Sequence, residues 1–253
     1  MMVDAVVLAG GVERGPLAAQ TGVLHRALLE VGGEPIVRRL AAALRGSVEV
    51  DRVALVAPPP VQAEVGDEAV DFRVPAGDSF VENIVNGVSA SDPGNESVLV
   101  VTGDLPFLTP EAVNDFVRQS LASGAEVTYA IIPRESCERR FPGGHRTYVR
   151  LREGTFTGGN AVMLSRGFVA RQRELLGRLY ASRKNPLRLA GLLGVPFIVG
   201  LLTHRLRLPQ LEARAAALVG ARVAAIITAF ADIGFDVDKP EDLALARRVA
   251  GGG

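Results

Sequence analysis

Three runs of small and β-branched apolar residues constrain this chain more than any other feature: Ala5-Val6-Val7-Leu8, Val53-Ala54-Leu55-Val56 and Val98-Leu99-Val100-Val101. Each ends at Gly, Pro or a small polar residue. A strand with one wet face alternates apolar and polar residues, whereas an unbroken apolar run belongs to a strand buried on both faces. The segments between the runs have helical spacing. Pro35 to Arg45 gathers Ile36, Leu40, Ala43 and Leu44 on one side, and Ser79 to Ala90 gathers Val81, Ile84, Val85 and Val88. Thr109-Pro110-Glu111 supplies a cap, a proline at the first helical position and an acid in the first turn. Ala112, Val113, Phe116, Val117 and Leu121 then follow a 3.6-residue period. This alternation predicts an α/β fold, three-layer αβα, around a mostly parallel sheet.

The style changes after Ile132. Pro133 to Thr157 is Arg-rich and broken by Pro142-Gly143-Gly144. Ser165 to Ala181 and Gln210 to Val219 read as helices, Val223 to Ile227 as a strand and Pro240 to Val249 as a terminal helix. The expectation is one domain, residues 1–253, with an inserted basic helical subregion at residues 134–220. Between Arg134 and Arg188 stand 13 basic residues and four acidic ones. Such a run is either a solvated face or an electropositive wall that steers phosphorylated ligands. The chain has only two lysines, Lys184 and Lys239.

Over all 253 residues the charges cancel, with 28 basic and 28 acidic side chains. That balance argues against a nucleic-acid binder, which carries a basic domain. With 48% hydrophobic and 22% charged residues the chain is too apolar for disorder. Cys137 is the only cysteine, which excludes an intrachain disulfide and a cysteine-based metal site. The first apolar stretch, Val3 to Leu8, is too short for a secretory leader, so a cytoplasmic location is expected. The longest uncharged run, Leu189 to Leu202, is shorter than a membrane span and contains Pro196. Its basic flanks suit either a membrane surface with a lipid-linked acceptor or a buried helix pair or homodimer face.

Chemistry is expected where strands end, because open α/β sheets bind ligands beyond their carboxyl edges. Leu8-Ala9-Gly10-Gly11 would bring backbone N–H groups close to a base or phosphate, or be a plain tight turn. It carries neither the Gly-x-Gly-x-x-Gly fingerprint nor a P-loop. Asp104, two residues past a buried strand, suits Mg²⁺ shared with nucleotide phosphates, or caps a turn. Asp236 and Asp238 are expected to project to different sides of an extended segment, so that one faces an ion. Asp238 could instead cap the last helix, which would leave Asp236 as the ligand.

Leu8-Ala9-Gly10-Gly11, Thr102-Gly103-Asp104-Leu105-Pro106 and Asp236-Val237-Asp238-Lys239-Pro240-Glu241-Asp242 stand in an order and at spacings that resemble a known family. They look like the glycosyltransferase-A-like nucleotidyltransferases, in particular the group similar to the molybdenum-cofactor guanylyltransferase, from Asp4 to about Val249. The resemblance implies a Rossmann-like sheet of the nucleotide-diphospho-sugar transferase type. It implies a Mg²⁺-dependent transfer of NMP from a nucleoside triphosphate to a phosphorylated small-molecule acceptor, with release of pyrophosphate. Nucleotide contacts would come from Leu8, Ala9, Gly10, Gly11, Arg14 and Gly103, with Asn83 reading the base or else a solvent-facing helix polar. Thr157, Gly158, Gly159 and Asn160 would face the acceptor, or form a hairpin turn beside a strand from Ala161 to Leu164. Asp104 would bind Mg²⁺ together with Asp238, or with Asp236.

Two departures stand out. The Gly-Gly pair runs into Val12-Glu13-Arg14-Gly15, one residue short of the family pattern and without its further Gly or Ser. The family's Pro-Lys aligns with His25-Arg26, so Arg26 takes the lysine's place and Lys184 is a second candidate for a phosphate-binding catalytic cation. Two further readings stay open. Asp236-Val237-Asp238 is formally Asp-x-Asp, as in a nucleotide-sugar glycosyltransferase of the same fold, although there the motif sits mid-chain. The altered loop suits a non-catalytic nucleotide-binding protein.

Overall fold

The computed structural model describes residues 2–172 and 205–251. Its first half runs β1 (Val3–Leu8), α1 (Pro16–Thr21), a small ladder of β2 (Glu30–Val31) and β3 (Glu34–Pro35), and α2 (Ile36–Arg45). Then come β4 (Val50–Ala57), α3 (Pro59–Gln62), β5 (Phe72–Pro75), α4 (Phe80–Ala90), β6 (Ser97–Thr102) and α5 (Pro110–Ser123). The second half holds β7 (Val127–Pro133), α6 (Arg134–Arg140), β8 (Val149–Leu151), β9 (Gly154–Ser165) and α7 (Arg166–Arg171). After residue 204 follow α8 (Leu208–Val219), β10 (Val223–Ile227) and α9 (Pro240–Gly251).

The predicted strands form the middle of one sheet. Among the described residues it has eight strands in the order β10-β7-β9-β6-β1-β4-β5, with β8 paired to β9. β1 lies parallel to both β4 and β6, and all six of its residues are buried. Its alternate side chains enter two separate cores. Ala5 and Val7 pack with α2 and α5, and Val6 and Leu8 pack with α4 and α7. The sheet is thus covered on both faces, as the unbroken apolar runs require. The helix starts also agree with the sequence: Ser79 accepts from the Glu82 N–H and Thr109 from the Ala112 N–H. No described helix is long and apolar enough to cross a membrane.

Among the described residues of the region expected as an inserted helical unit, strands accompany the helices. From Arg134 the described chain makes one short helix, then a hairpin whose second strand enters the main sheet. β9 lies antiparallel between β6 and β7, so it is a central strand of the domain. Thr157 to Asn160, with a hairpin turn as one reading, are instead part of this 12-residue strand. The turn lies earlier, between Leu151 and Gly154. β9 shifts register against β7 between Tyr129 and Ile131, where its pairing jumps from Val162 to Gly158. That irregularity falls where β9 leaves β6, whose last pair is Val101 with Ala161. It therefore opens Gly158, Gly159 and Asn160 onto the carboxyl edge of the sheet. Of the helix expected from Ser165 to Ala181, α7 covers Arg166 to Arg171; Lys184 and Leu189 to Leu202 lie outside the described residues.

Several arginines of the basic stretch are paired with acids, some inside the fold and some on its surface. Arg166 reaches the foot of the sheet, where it bonds Ser91 and lies 3.3 Å from the fully buried Asp4. Arg140 pairs with Asp232, Arg134 with Glu138 and Arg171 with Glu126. Helix α4 approaches the sheet over Gly87, where a Cβ would meet Val6 and stand 2.9 Å from Val56 Cγ2. Overpacking of this kind costs about 1–3 kcal/mol. Gly87→Ala is therefore expected to lower the unfolding free energy by about that amount in urea, with an unchanged m-value.

Candidate active site

The carboxyl ends of β1 and β6 are held side by side. The Gly103 N–H donates to Leu8 O at 2.9 Å, and the Ala9 N–H donates to Val56 O at 2.9 Å. A Cβ on Gly103 would stand 2.6 Å from Ala9 Cβ and 2.9 Å from Ala9 Cα, so only glycine permits this contact. Leu8, Ala9, Gly11, Arg26, Gly103 and Asp104 line a cleft of about 260 Å³, joined by Val12, Glu13 and Ala27. Gly10 is turned under the loop, where a Cβ would lie 2.8 Å from Ala76 Cβ and 3.2 Å from Asn83 Nδ2. Asn83 is buried, and its Oδ1 accepts from the Gly77 N–H at 2.6 Å. Arg14 is exposed on the following loop.

A second cavity, about 720 Å³, opens on the other side of the acids. Thr157, Gly158, Gly159 and Asn160 all line it, with Tyr129, His145, Arg146, Asp236, Asp238 and Lys239. Between the two cavities, Asp104, Asp236 and Asp238 each place a carboxylate oxygen within 4.8 Å of the others. This corrects the expectation that only one of Asp236 and Asp238 faces the site. Residues two apart on an extended segment share a face. Phe235 and Val237 are buried in the core, which turns both acids to the cleft. The capping reading is corrected as well. The Asp242 carboxylate accepts from the N–H groups of Asp238 and Lys239 ahead of α9, and the Asp238 carboxylate pairs with Arg26.

The acid-bearing loops are fixed from behind. The Val237 N–H donates to Asp104 O at 3.1 Å. Phe107, Phe141 and Phe235 form a ring cluster with centroid separations of 4.3 to 5.5 Å. Arg146 covers the Phe235 ring at 4.8 Å and pairs with Asp236 at 2.6 Å. Neither Arg146 nor Glu13 stands out in the sequence as a site residue. Glu13 is nonetheless nearly buried; it accepts from Arg26 Nε at 2.8 Å and from the Gly15 N–H at 2.6 Å.

The electrostatics suit a cation. Burial, then the field of Asp236, raises the Asp104 carboxyl to a pKa of about 6. Burial also raises Asp236, opposed by Arg146. The hydrogen bond from Arg26 holds Glu13 below the usual carboxylate range. Burial disfavours the charge on Arg26, but the Glu13 hydrogen bond and the fields of Asp238 and Asp104 outweigh it and raise its pKa. Asp104 Oδ1 is buried without a hydrogen-bond partner. Three carboxylates around an unpartnered oxygen fit a hard divalent ion such as Mg²⁺, which takes oxygen ligands. Lys184 lies outside the described residues.

Residues 5–228 match the MobA-like NTP transferase domain. The fold superposes on a hypothetical transferase from Thermus thermophilus with a TM-score of 0.83 and 38% identity, covering 96% of this chain and 100% of that one. A CMP:2-keto-3-deoxy-manno-octonic acid synthetase complexed with CTP shares the fold at a TM-score of 0.61 and 14% identity, covering 100% of this chain and 99% of its own. A 2-C-methyl-D-erythritol 4-phosphate cytidylyltransferase of Streptomyces avermitilis is 32% identical over 132 residues, 49% of this chain and 50% of that protein. The chain thus matches about half the length of this curated relative.

An aspartate whose pKa rises on folding binds its proton more tightly in the folded state. Its stabilising effect is complete below the unfolded value of 3.8 and is lost as pH rises through about 6. Asp104→Asn removes that dependence. In metal-free buffer it is expected to be more stable than the parent by about 1–3 kcal/mol above pH ~7, the difference closing toward pH ~4. Urea denaturation across this range, with chelator present, measures it.

Proposed function

The chain belongs to the family of MobA-like NTP transferase domains, and from that premise we propose that it transfers a nucleoside monophosphate from a nucleoside triphosphate to a phosphorylated small-molecule acceptor. The observation that carries this reading is the placement of Asp104, Asp236 and Asp238 between two cavities. One cavity is floored by the Gly-Gly loop and the other by β9. A two-substrate transfer needs this division: a triphosphate on one side, an acceptor on the other and the reacting phosphorus between them.

In this reading the backbone of Ala9 to Gly11 and Gly103 approaches the nucleotide closely, which bulky side chains would prevent. Asn83 holds the Gly77 segment and lies against Gly10, and Arg14 and Arg26 supply charge near the phosphates. Asp104, Asp236 and Asp238 would hold Mg²⁺, which neutralises charge on the triphosphate when bound. Thr157, Gly158, Gly159 and Asn160 offer hydroxyl, backbone and amide contacts to a polar acceptor. An oxygen of the acceptor phosphate attacks the α-phosphorus. The bond from the α-phosphorus to its bridging oxygen breaks, and pyrophosphate leaves with that electron pair. Little covalent chemistry falls to the protein, so alignment and charge stabilisation dominate. A relative named as a cytidylyltransferase and a neighbour of the same fold complexed with CTP support a nucleotide donor of this kind.

The test is a matrix of the four ribonucleoside triphosphates against phosphorylated sugars and polyols, with Mg²⁺ and pyrophosphate detection. One pair is expected to release pyrophosphate, and Asp104→Asn to reduce that release by roughly 10³-fold or more. Unchanged release in the variant overturns the reading. So does stabilisation by nucleotide sugars with no pyrophosphate from any triphosphate, which would favour the glycosyltransferase alternative.

A further inference from the structure

The two departures of the first loop meet in space. Arg26 stands where the resemblance places a lysine, and Glu13 stands in the shortened segment after Gly11. Their side chains form a two-bond fork, with Arg26 Nε at 2.8 Å and Nη2 at 2.7 Å from Glu13 Oε2. The remaining nitrogen, Nη1, points the other way. It pairs with Asp238 and lies 3.4 Å from Asp104 Oδ2. Arg26 begins a short 3₁₀ turn, and the preceding His25 is tied by Nδ1 to Gly11 O at 3.1 Å. The base of the side chain is therefore fixed to the same loop that floors the nucleotide-side cleft.

This arrangement uses a property of arginine that lysine lacks. A guanidinium presents donors on separate edges, so it can stay bound to one carboxylate while another edge changes partner. A single ammonium must leave one partner for the next. Glu13 is nearly buried, whereas Asp238 is 51% exposed. The Glu13 side of the fork is thus the less exposed one; Glu13 lines the nucleotide-side cleft with Arg26 and Asp104, and Asp238 lines the second cavity.

We propose that Glu13 is a positioning residue that holds Arg26 as an exchangeable cation of the acid cluster. Resting on the reading of Asp104 and Asp238 as cation ligands, the proposal gives Nη1 two successive partners. Without nucleotide it neutralises Asp104 and Asp238. When a divalent cation and a triphosphate enter, it passes to a phosphate oxygen, while Nε and Nη2 remain on Glu13. No bond to carbon or phosphorus changes in this exchange. Arg26 and a free divalent cation then compete for the same carboxylates, and the triphosphate favours the cation by giving Arg26 another anion.

The test uses the full chain without nucleotide, with Mn²⁺ as a spectroscopic probe and magnesium tripolyphosphate as a base-independent triphosphate. Arg26→Gln is expected to tighten Mn²⁺ binding about tenfold, because the competitor is gone. Glu13→Gln keeps an oxygen that can accept the Gly15 N–H. It is expected to weaken magnesium tripolyphosphate binding about tenfold in the parent, and less than about twofold in the Arg26→Gln background. A merely structural Glu13 would cost the same in both backgrounds, and that result overturns the proposal. Unchanged or weaker Mn²⁺ binding by Arg26→Gln overturns it too. Loss of Mn²⁺ binding by Asp104→Asn, with Arg26→Gln unchanged, removes this proposal alone. Persistence of Mn²⁺ binding in Asp104→Asn removes the cation site on which both readings rest.

Discussion

Three carboxylates gathered within 4.8 Å repel one another, and the site depends on backbone strong enough to hold them there. The central contact is the hydrogen bond from the Val237 N–H to Asp104 O. It ties the loop after β6 to the segment before α9, two pieces of chain more than 130 residues apart. Neither acid-bearing loop is free to relax, because Phe107 and Phe235 pack into one cluster beneath them, with Phe141 between. Phe107 lies three residues past Asp104, and Phe235 directly precedes Asp236. The hydrophobic core thereby sets the spacing of the acids. Burial of the rings supplies free energy that offsets the electrostatic cost of the cluster.

That cost is also reduced by charge placed with economy. Four carboxylates, Glu13, Asp104, Asp236 and Asp238, meet two guanidiniums, Arg26 and Arg146. The deficit of positive charge is what a divalent cation would balance. The zero net charge of the chain therefore hides an arrangement rather than an absence of electrostatics. Among the described residues, several arginines of the basic stretch make individual ties. Arg146 supports Asp236, Arg140 pairs with Asp232 beside the aromatic cluster, and Arg166 closes the foot of the sheet.

The central sheet was readable because strands buried on both faces leave unbroken apolar runs. β9 was harder to read, since Gly158 and Gly159 look like a turn and nothing local says that the strand continues through them. Its pairing with β6 and β7 is a tertiary fact. β5 is four residues long with alternating half-buried positions, too short to leave a period. Asp104 and the Gly-Gly loop were legible from their positions beyond strand ends. The joint use of Asp236 and Asp238 follows from the pleat, with Phe235 and Val237 as the inward signal. Arg146 was not legible, because an arginine within a basic run carries no mark of the one acid it will meet.

Glu13 belongs to a third class, visible as a departure from a pattern but with its role written only in three dimensions. Taken singly, an arginine in place of a lysine and a glutamate in a glycine-rich loop both look like damage to a phosphate site. Together they are complementary. Arginine in this acidic setting would otherwise sit wholly on Asp104 and Asp238, where it would oppose a cation. Glu13 takes two of its nitrogens and leaves the third to Asp104 and Asp238. The charge that Glu13 adds is matched by the charge that Arg26 carries, so the pair leaves the balance at the acids as a lysine-bearing loop without Glu13 would not. The pairing makes the two residues one unit of the loop, with Arg26 joining Glu13 on one edge to Asp104 and Asp238 on the other.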